Sequence, residues 1–412
     1  MSMLDVALPQ SALVVAVDPG KVANRVWISD GSGLLVDPRS VPVSRDGMAS
    51  LDLLVSRFGR DHEPLVFAIE ATGSLHRAWA SELERRHPGT VRLFAPSETK
   101  AARTQLGSGR FKTDDRDCAA LTYMARQGGG RPWTEELAVD TLRAVVRHRH
   151  GLVSDRKVIQ QRLHDQLNAL APGLSAPGGH GRSLAIEGPS GQAVLACAAA
   201  FAGRPPTVRS LQARASGRFS DADARYWADR WRGCLPPPHD AALRAERLRR
   251  DLARFNALQG DIAALETQLE ALLAATQGQV LTTLPGVAVV RASGFAAFSL
   301  PISRYPDAEH LYSATGLAPA LYTSASIKRR GRISRQGLAE HRDALMGIAW
   351  GLSRYSPSFS ARDSEYRARG MTPIQARVAL ARHACRLAYR LLQSQQPFDE
   401  QTYSRGRHSR GR

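Results

Sequence analysis

Along the first hundred residues, short wholly apolar runs alternate with stretches in which apolar residues recur every three or four positions. Leu13–Asp18 is a Val-rich run, Arg25–Ser29 resumes it after a Gly-containing turn, and Gly33–Val36 begins a third. Runs this short, bounded by turn residues, predict β-strands. Met48–Phe58 places Leu51, Leu53, Leu54 and Phe58 at helical spacing. Pro64–Glu70 and Val91–Ala95 read as further buried strands, with Leu75–Arg86 a helix between them.

Three strands followed by helix, strand, helix and strand is the order of an RNase-H-like α/β domain, expected over residues 1–135. Periodicity alone says only α/β. From 136 to 171 the residues Leu142, Val146, Leu152, Ile159, Leu163, Leu167 and Leu170 recur at near-heptad spacing, interrupted by Arg149. A second stretch, 239–278, carries Leu248, Leu252, Phe255, Ile262, Leu265, Leu269 and Leu272. The two are expected to pair as an antiparallel hairpin or to mediate dimerisation; a plain bundle wall explains them equally well. Between them, 172–238 is a Gly-, Pro- and Arg-rich insertion with some helix (Ala193–Phe201) and an aromatic patch of Tyr226, Trp227 and Trp231. A solvated accessory lobe is preferred there over a stacking surface for bases. Residues 279–398 form a mostly helical unit opening with Leu284-Pro285-Gly286-Val287, which looks like the turn of a helix–hairpin–helix element. The basic tail 399–412 is expected to lack structure from Ser404 onward.

Charge changes this picture from fold to partner. Lys and Arg total 56 against 38 acidic residues, a net charge of +18 over 412 residues. Such an excess calls for a polyanion, with nucleic acid the default because phosphate neutralisation releases counterions. The four cysteines, Cys118, Cys197, Cys234 and Cys385, are far apart and form no Cys-x-x-Cys pair, which argues against a zinc site or a disulfide framework. Without a signal-peptide pattern or an apolar run long enough to span a bilayer, the expected location is cytoplasmic, with no membrane partner.

Four acids stand out. Asp18 ends a buried strand before Pro19-Gly20, and Glu70 ends another before Ala71-Thr72-Gly73. Asp114 and Asp117, three apart in Lys112-Thr113-Asp114-Asp115-Arg116-Asp117, share a face at a helix start. Hard oxygen ligands converging from four positions suit Mg²⁺ and phosphoryl transfer. Taken singly, each acid is more simply a turn or cap residue, Asp114 an N-cap, and Asp115 is an alternative member of the set. Near the other end, Ser324 and Ser326 precede Lys328, Arg329, Arg330, Arg332 and Arg335. Cations beside a serine steady a phosphoryl transition state, though a phosphate-binding loop with turn serines explains the same residues.

Together these motifs resemble the insertion sequence 110 family of transposases, which includes the Piv-type DNA invertases. The resemblance lies in Asp18, Ile69-Glu70-Ala71-Thr72-Gly73, Lys112-Thr113-Asp114 with Asp117, Leu284-Pro285-Gly286, Gly316-Leu317-Ala318-Pro319, Ser324, and Ile333-Ser334 with Gly337. It covers residues 12–170 and 240–398. It implies a RuvC-like domain whose catalytic and metal-binding acids are Asp18, Glu70, Asp114 and Asp117, with Mg²⁺ as cofactor. It further implies a coiled coil and a transposase domain whose catalytic serine is Ser324, at the family's distance from Pro319 but followed by Ala325 where the family has Gly. Donor and target DNA, a noncoding bridge RNA and a homodimer or homotetramer are the implied partners. Lys112, Lys328, Arg329, Arg330, Arg332 and Arg335 are the expected nucleic-acid contacts. A metal-only junction nuclease, or a basic nucleic-acid-binding scaffold without activity, are the competing readings.

Overall fold

Strands pair where the apolar runs lie. The computed structural model describes residues 7–107, 112–134, 136–175, 184–215, 218–324 and 327–408, in two compact units, 1–135 and 136–412. The first unit runs β1 (Leu13–Asp18), β2 (Ala23–Ser29), β3 (Arg39–Pro42), α1 (Arg45–Phe58), β4 (Leu65–Glu70), α2 (Leu75–Arg86), β5 (Val91–Phe94), α3 (Pro96–Gln105), α4 (Asp114–Arg126) and β6 (Arg131–Pro132). The sheet order is β3-β2-β1-β4-β5-β6. Strands β1, β4 and β5 are parallel, and the other pairings are antiparallel, the mixed sheet of an RNase-H-like domain.

Strands β1 and β4 are apolar at every position before their terminal acids because both faces are covered. Leu13, Val15, Val17, Phe67 and Ile69 pack with Leu51 and Val55 of α1 and with Trp79 and Leu83 of α2. Val14, Ala16, Val66 and Ala68 face Cys118, Leu121 and Ala125 of α4.

Besides the two-residue edge strand β6, two elements of this unit depart from the sequence expectation. The third strand is Arg39–Pro42, not Gly33–Val36. Asp30 accepts from the backbone N–H of Ser32 and Gly33, closing a tight turn, and only one bridge, Ser29 to Leu34, follows it. Helix α3 was not anticipated, because it is largely polar, burying only Thr99 and Ala102. It starts by local chemistry instead: Pro96 sits in the first turn and the Glu98 carboxylate accepts from the Ala95 N–H.

In the second unit, α5 (Leu137–Leu170) precedes three helices, α6 (Pro189–Phe201), α7 (Val208–Gln212) and α8 (Asp221–Arg232), and α9 (Ala241–Ala274) returns along it. The α5/α9 pair is antiparallel and intramolecular: Arg149 meets Glu266 at 2.5 Å and Arg162 approaches Asp251 at 3.8 Å. Arg149 thus occupies its heptad position by ion pairing across the helices. On α9 the residues Leu248, Phe255, Ile262 and Leu269, seven apart, form the buried seam.

The described residues of 172–238 form a packed helical lobe. Trp227 and Trp231 belong to its core with Leu167, Leu195 and Phe255, and the Trp231 indole donates to Gly203 O at 2.9 Å. Neither ring is free to stack on a base.

The chain continues through α10 (Val289–Ser299), α11 (Ala308–Ala314), the hairpin β7 (Pro319–Ser324) and β8 (Ile327–Ile333), α12 (Ala339–Tyr355), α13 (Pro357–Ala368), α14 (Pro373–Ser394) and α15 (Glu400–His408). Apart from the hairpin these are helices around one core that includes Phe295, Leu345, Leu380 and Leu392. Contrary to expectation, Ser404–His408 is helical: Asp399 accepts from the N–H groups of Gln401 and Thr402, and Tyr403 stacks on Phe359. No described helix is long and apolar enough to cross a membrane.

Candidate active site

Strand register creates the first half of the site. In the parallel pair β1–β4, Val17 is level with Ile69, so the strand-ending residues Asp18 and Glu70 stand side by side. Alternation sends both to the face of Ala16 and Ala68, the one α4 covers. Thr72 donates its hydroxyl to Glu70 Oε1 at 2.6 Å, fixing the buried carboxylate.

Helix α4 supplies the second half. Thr113, not Asp114, is the N-cap, its hydroxyl accepting from Arg116 N at 3.3 Å. That leaves the Asp114 carboxylate uncommitted to the cap. Asp117, Cys118 and Leu121 lie on the face turned to the sheet, and Asp117 is buried. Asp115 points elsewhere: its carboxylate takes Arg25 Nε at 2.6 Å, Arg25 Nη2 at 3.1 Å and the Trp27 indole at 3.0 Å. The Arg25 bonds hold the Asp115 carboxyl below its ordinary range. The neighbour that sequence left as an alternative is thus occupied as a clasp between α4 and β2.

The four acids sense one another. Burial pushes the Asp18 carboxyl up to about 7, and the charges of Asp117, Glu70 and Asp114 push in the same direction. Asp117 is also raised, chiefly by burial, against the lowering influence of Arg103. Lys112, exposed just before α4, eases the negative charge on both. Arg103 on α3 is the residue sequence reasoning missed. Its Nε lies 3.0 Å from Asp117 Oδ1, with side chains 12% and 3% exposed. An arginine in a polar helix carries no signal of burial, so only the fold reveals it.

Four carboxylates are the donor set of a hard divalent cation. Asp117 Oδ1 is buried and accepts no hydrogen bond, leaving a lone pair for such an ion. As the side chains stand, however, no three acids among the described residues close around one point.

The serine region belongs to the second unit. Ser324 is the last residue of β7, opposite Ile327, while Ala325 and Ser326 lie outside the described residues. Lys328, Arg329, Arg330 and Arg332 are on β8, opposite or just beyond Thr323, Tyr322 and Leu321. Arg335 follows the strand, exposed and left-handed at φ 56°. The base of the hairpin is closed by bonds from Ser334 N to Ala318 O and from Arg335 N to Gly316 O. Glycine is required at this crossing: Gly316 and Gly337 have φ of 70° and 150°, and a Cβ on Gly337 would lie 2.2 Å from Ala314 O. The Leu284–Val287 segment leads into α10, with Gly286 O accepting from Arg291 Nη1 at 2.5 Å.

Comparison with known proteins joins these two regions. Residues 15–172 match a transposase model of the DEDD class, and residues 278–364 match the model described as Transposase IS116/IS110/IS902 family. The chain is 26% identical over 400 residues, 93% of its length and 95% of the relative's, to the insertion element IS116 uncharacterized 44.8 kDa protein of Streptomyces clavuligerus. It is 32% identical over 130 residues to the insertion element IS110 uncharacterized 43.6 kDa protein of Streptomyces coelicolor, a match spanning about a third of each chain. A DEDD domain implies divalent-metal chemistry. With both matches in order along one chain, the protein belongs to the IS116/IS110/IS902 family of transposases, which are phosphoryl-transfer enzymes.

Proposed function

We propose that this transposase exchanges DNA strands through a covalent phosphoserine, with Asp18, Glu70, Asp114 and Asp117 as its catalytic acids and Ser324 as its nucleophile. The observation that carries the acid half is the side-by-side placement of Asp18 and Glu70 at the ends of parallel strands, under the helix that bears Asp114 and Asp117. The same four residues would hold Mg²⁺, which when bound neutralises charge developing on the phosphoryl oxygens. For the serine half, support comes from its position at the end of a hairpin strand whose partner carries four cationic residues. Attack by Ser324 Oγ on the scissile phosphorus forms the Oγ–P bond and breaks P–O3′. The serine proton ends on the departing 3′ oxygen, and a 5′-phosphoserine remains. A 3′-hydroxyl of another strand then reverses the step and frees the serine.

Lys112, Lys328, Arg329, Arg330, Arg332 and Arg335 would hold donor and target DNA and the structured noncoding RNA that the family resemblance implies as guide. Acids and serine lie on separate compact units of the chain. That separation accords with a composite site in a homodimer or homotetramer, the acids of one protomer serving the serine of another.

The test is a recombination assay with the gene in its native flanking DNA on a donor plasmid beside a target library. Junctions from wild type, lost in both Ser324→Ala and Asp114→Asn, support the reading. Persistence in Ser324→Ala would overturn Ser324 as the nucleophile, in favour of Ser326 or a metal-only nuclease, and persistence in both would remove the active site assigned here.

A further inference from the structure

Arg103 sits against the acid cluster in an arrangement that serves stability poorly. Its guanidinium is largely buried, yet Nε and Nη1 have no hydrogen-bond partner. Nε is 3.0 Å from Asp117 Oδ1, but that oxygen likewise accepts no hydrogen bond, so the pair is held by charge alone without aligned N–H donors. Buried guanidinium–carboxylate pairs normally offset their desolvation with two aligned bonds. By contrast, the more exposed pair of Arg25 and Asp115 in the same unit makes two such bonds, at 2.6 and 3.1 Å. Asp117, held toward α3, is also one of the four acids that do not close around a common point.

We propose that Arg103 is a resident counter-ion that competes with the divalent metal for Asp117, so that it sets how tightly the acid cluster takes metal. This rests on the assignment of Asp18, Glu70, Asp114 and Asp117 as the metal-binding acids. Without metal, Arg103 balances the charge of the most buried acid and keeps it from its neighbours. When a cation enters, Asp117 turns its unbonded oxygen from Arg103 toward the other acids. Arg103 acts through Asp117 and is therefore a positioning residue. Because the contact lacks aligned bonds, no hydrogen bond has to be broken to release it. A well-formed bidentate pair at this position would instead lock the site against metal.

The consequence has a sign that a structural role does not share. Removing a positive charge beside a cation site tightens cation binding, whereas loosening a scaffold weakens it. A divalent ion and a unit charge about 6 Å apart repel, even at the dielectric constant of water, enough for about a tenfold effect on affinity. The experiment titrates the full chain with Mn²⁺ and counts the free ion by electron paramagnetic resonance, for wild type, Arg103→Met, Arg103→Gln and Arg103→Lys. Thermal melts of each variant accompany the titration. Both neutral variants are expected to bind Mn²⁺ about tenfold tighter than wild type, while Arg103→Lys, which keeps the charge, stays within about threefold. Gln carries the test if Met does not melt cooperatively. Equal or weaker Mn²⁺ binding in a cooperatively melting neutral variant overturns the proposal. Asp18→Asn and Asp117→Asn, run alongside, separate the two failures. If they lose Mn²⁺ while Arg103→Gln gains nothing, only the role of Arg103 falls. If they bind Mn²⁺ as wild type does, the acid assignment falls and the proposal with it.

Discussion

Asp115 offers the sharpest check on which acids belong to the site, because it sits between two of them and is assigned a different task. Replacing it with Ala removes two bonds from Arg25, at 2.6 and 3.1 Å, and one from Trp27, at 3.0 Å. Hydrogen bonds to charged groups contribute about 1.5–3 kcal/mol when protected from water. Here the Arg25 and Asp115 side chains are 26% and 46% exposed. Solvent screening therefore reduces the expected loss to about 1–2 kcal/mol, a fall in melting temperature of about 3–6 °C for a unit of this size. The pH dependence has a definite sign. Arg25 holds the Asp115 carboxyl below its unfolded value, so its contribution is complete above about pH 4 and is lost as pH falls through the folded value. The gap between wild type and Asp115→Ala should therefore close in acid. Differential scanning fluorimetry from pH 7 down to about pH 2, through the range below the unfolded value, paired with Mn²⁺ titration at neutral pH, reads both effects. Asp115→Ala should keep Mn²⁺ binding while Asp114→Asn loses it. If Asp115→Ala loses Mn²⁺ with an unchanged melting temperature, the two aspartates have been given each other's roles.

Other consequences can be checked with single variants. Gly337→Ala forces a Cβ into Ala314 O at φ 150°, so it should cost about 2–4 kcal/mol and expose the β7–β8 hairpin to limited proteolysis; a wild-type digestion pattern would refute the crossing. Burial pushes His341 down to about 3, with Arg304 adding to it. A histidine buried neutral loses stability as pH falls below its unfolded value near 6.5, about 2 kcal/mol by pH 5. His341→Asn, which can still bond Ser299, should melt with a shallower acid dependence, and parallel melting curves would contradict this. Trp231→Phe should lower stability by about 1–2 kcal/mol through the lost bond to Gly203 O and leave nucleic-acid affinity, read by fluorescence anisotropy, unchanged. A drop in affinity without a drop in stability would return the aromatic patch to the binding surface.

The sheet and the long helices were legible because their signals are periodic. An apolar run as short as Leu13–Val17, rich in Val and bounded by turn residues, reads as a strand buried on both faces, and Leu248, Phe255, Ile262 and Leu269 mark their own seam. Legibility failed where local chemistry overrode pattern. Gly33–Val36 looks like a strand, yet after the Asp30 turn its pairing is confined to the Ser29–Leu34 bridge and the bond from Leu35 N–H to Ile28 O. Helix α3 has almost no apolar face and is started by Pro96 and Glu98. At the candidate site, Asp18 and Glu70 could be singled out because strand ends are visible in sequence. Distinguishing Asp114 from Asp115 could not be done from spacing, since it depends on Arg25 and Trp27 reaching across from another strand. Arg103 gave no signal at all, being one arginine among many until the fold buried it.

The antiparallel return of α9 along α5 has a topological meaning of its own. Each helix has 34 residues, about 50 Å at the α-helical rise. One end of the pair is built into the core of Phe295 and Leu345, the other into that of Trp231 and Leu195. Residues 172–238 leave and rejoin the pair at the same end, so in chain terms they are a graft on the tip of a helical stem. Shortening or enlarging that graft shifts neither helix against the other, because the register is fixed along the stem by Phe255, Ile262 and Leu269 and by the Arg149–Glu266 bridge. Variation in size can therefore accumulate at the tip, while the helical core at the opposite end keeps its form.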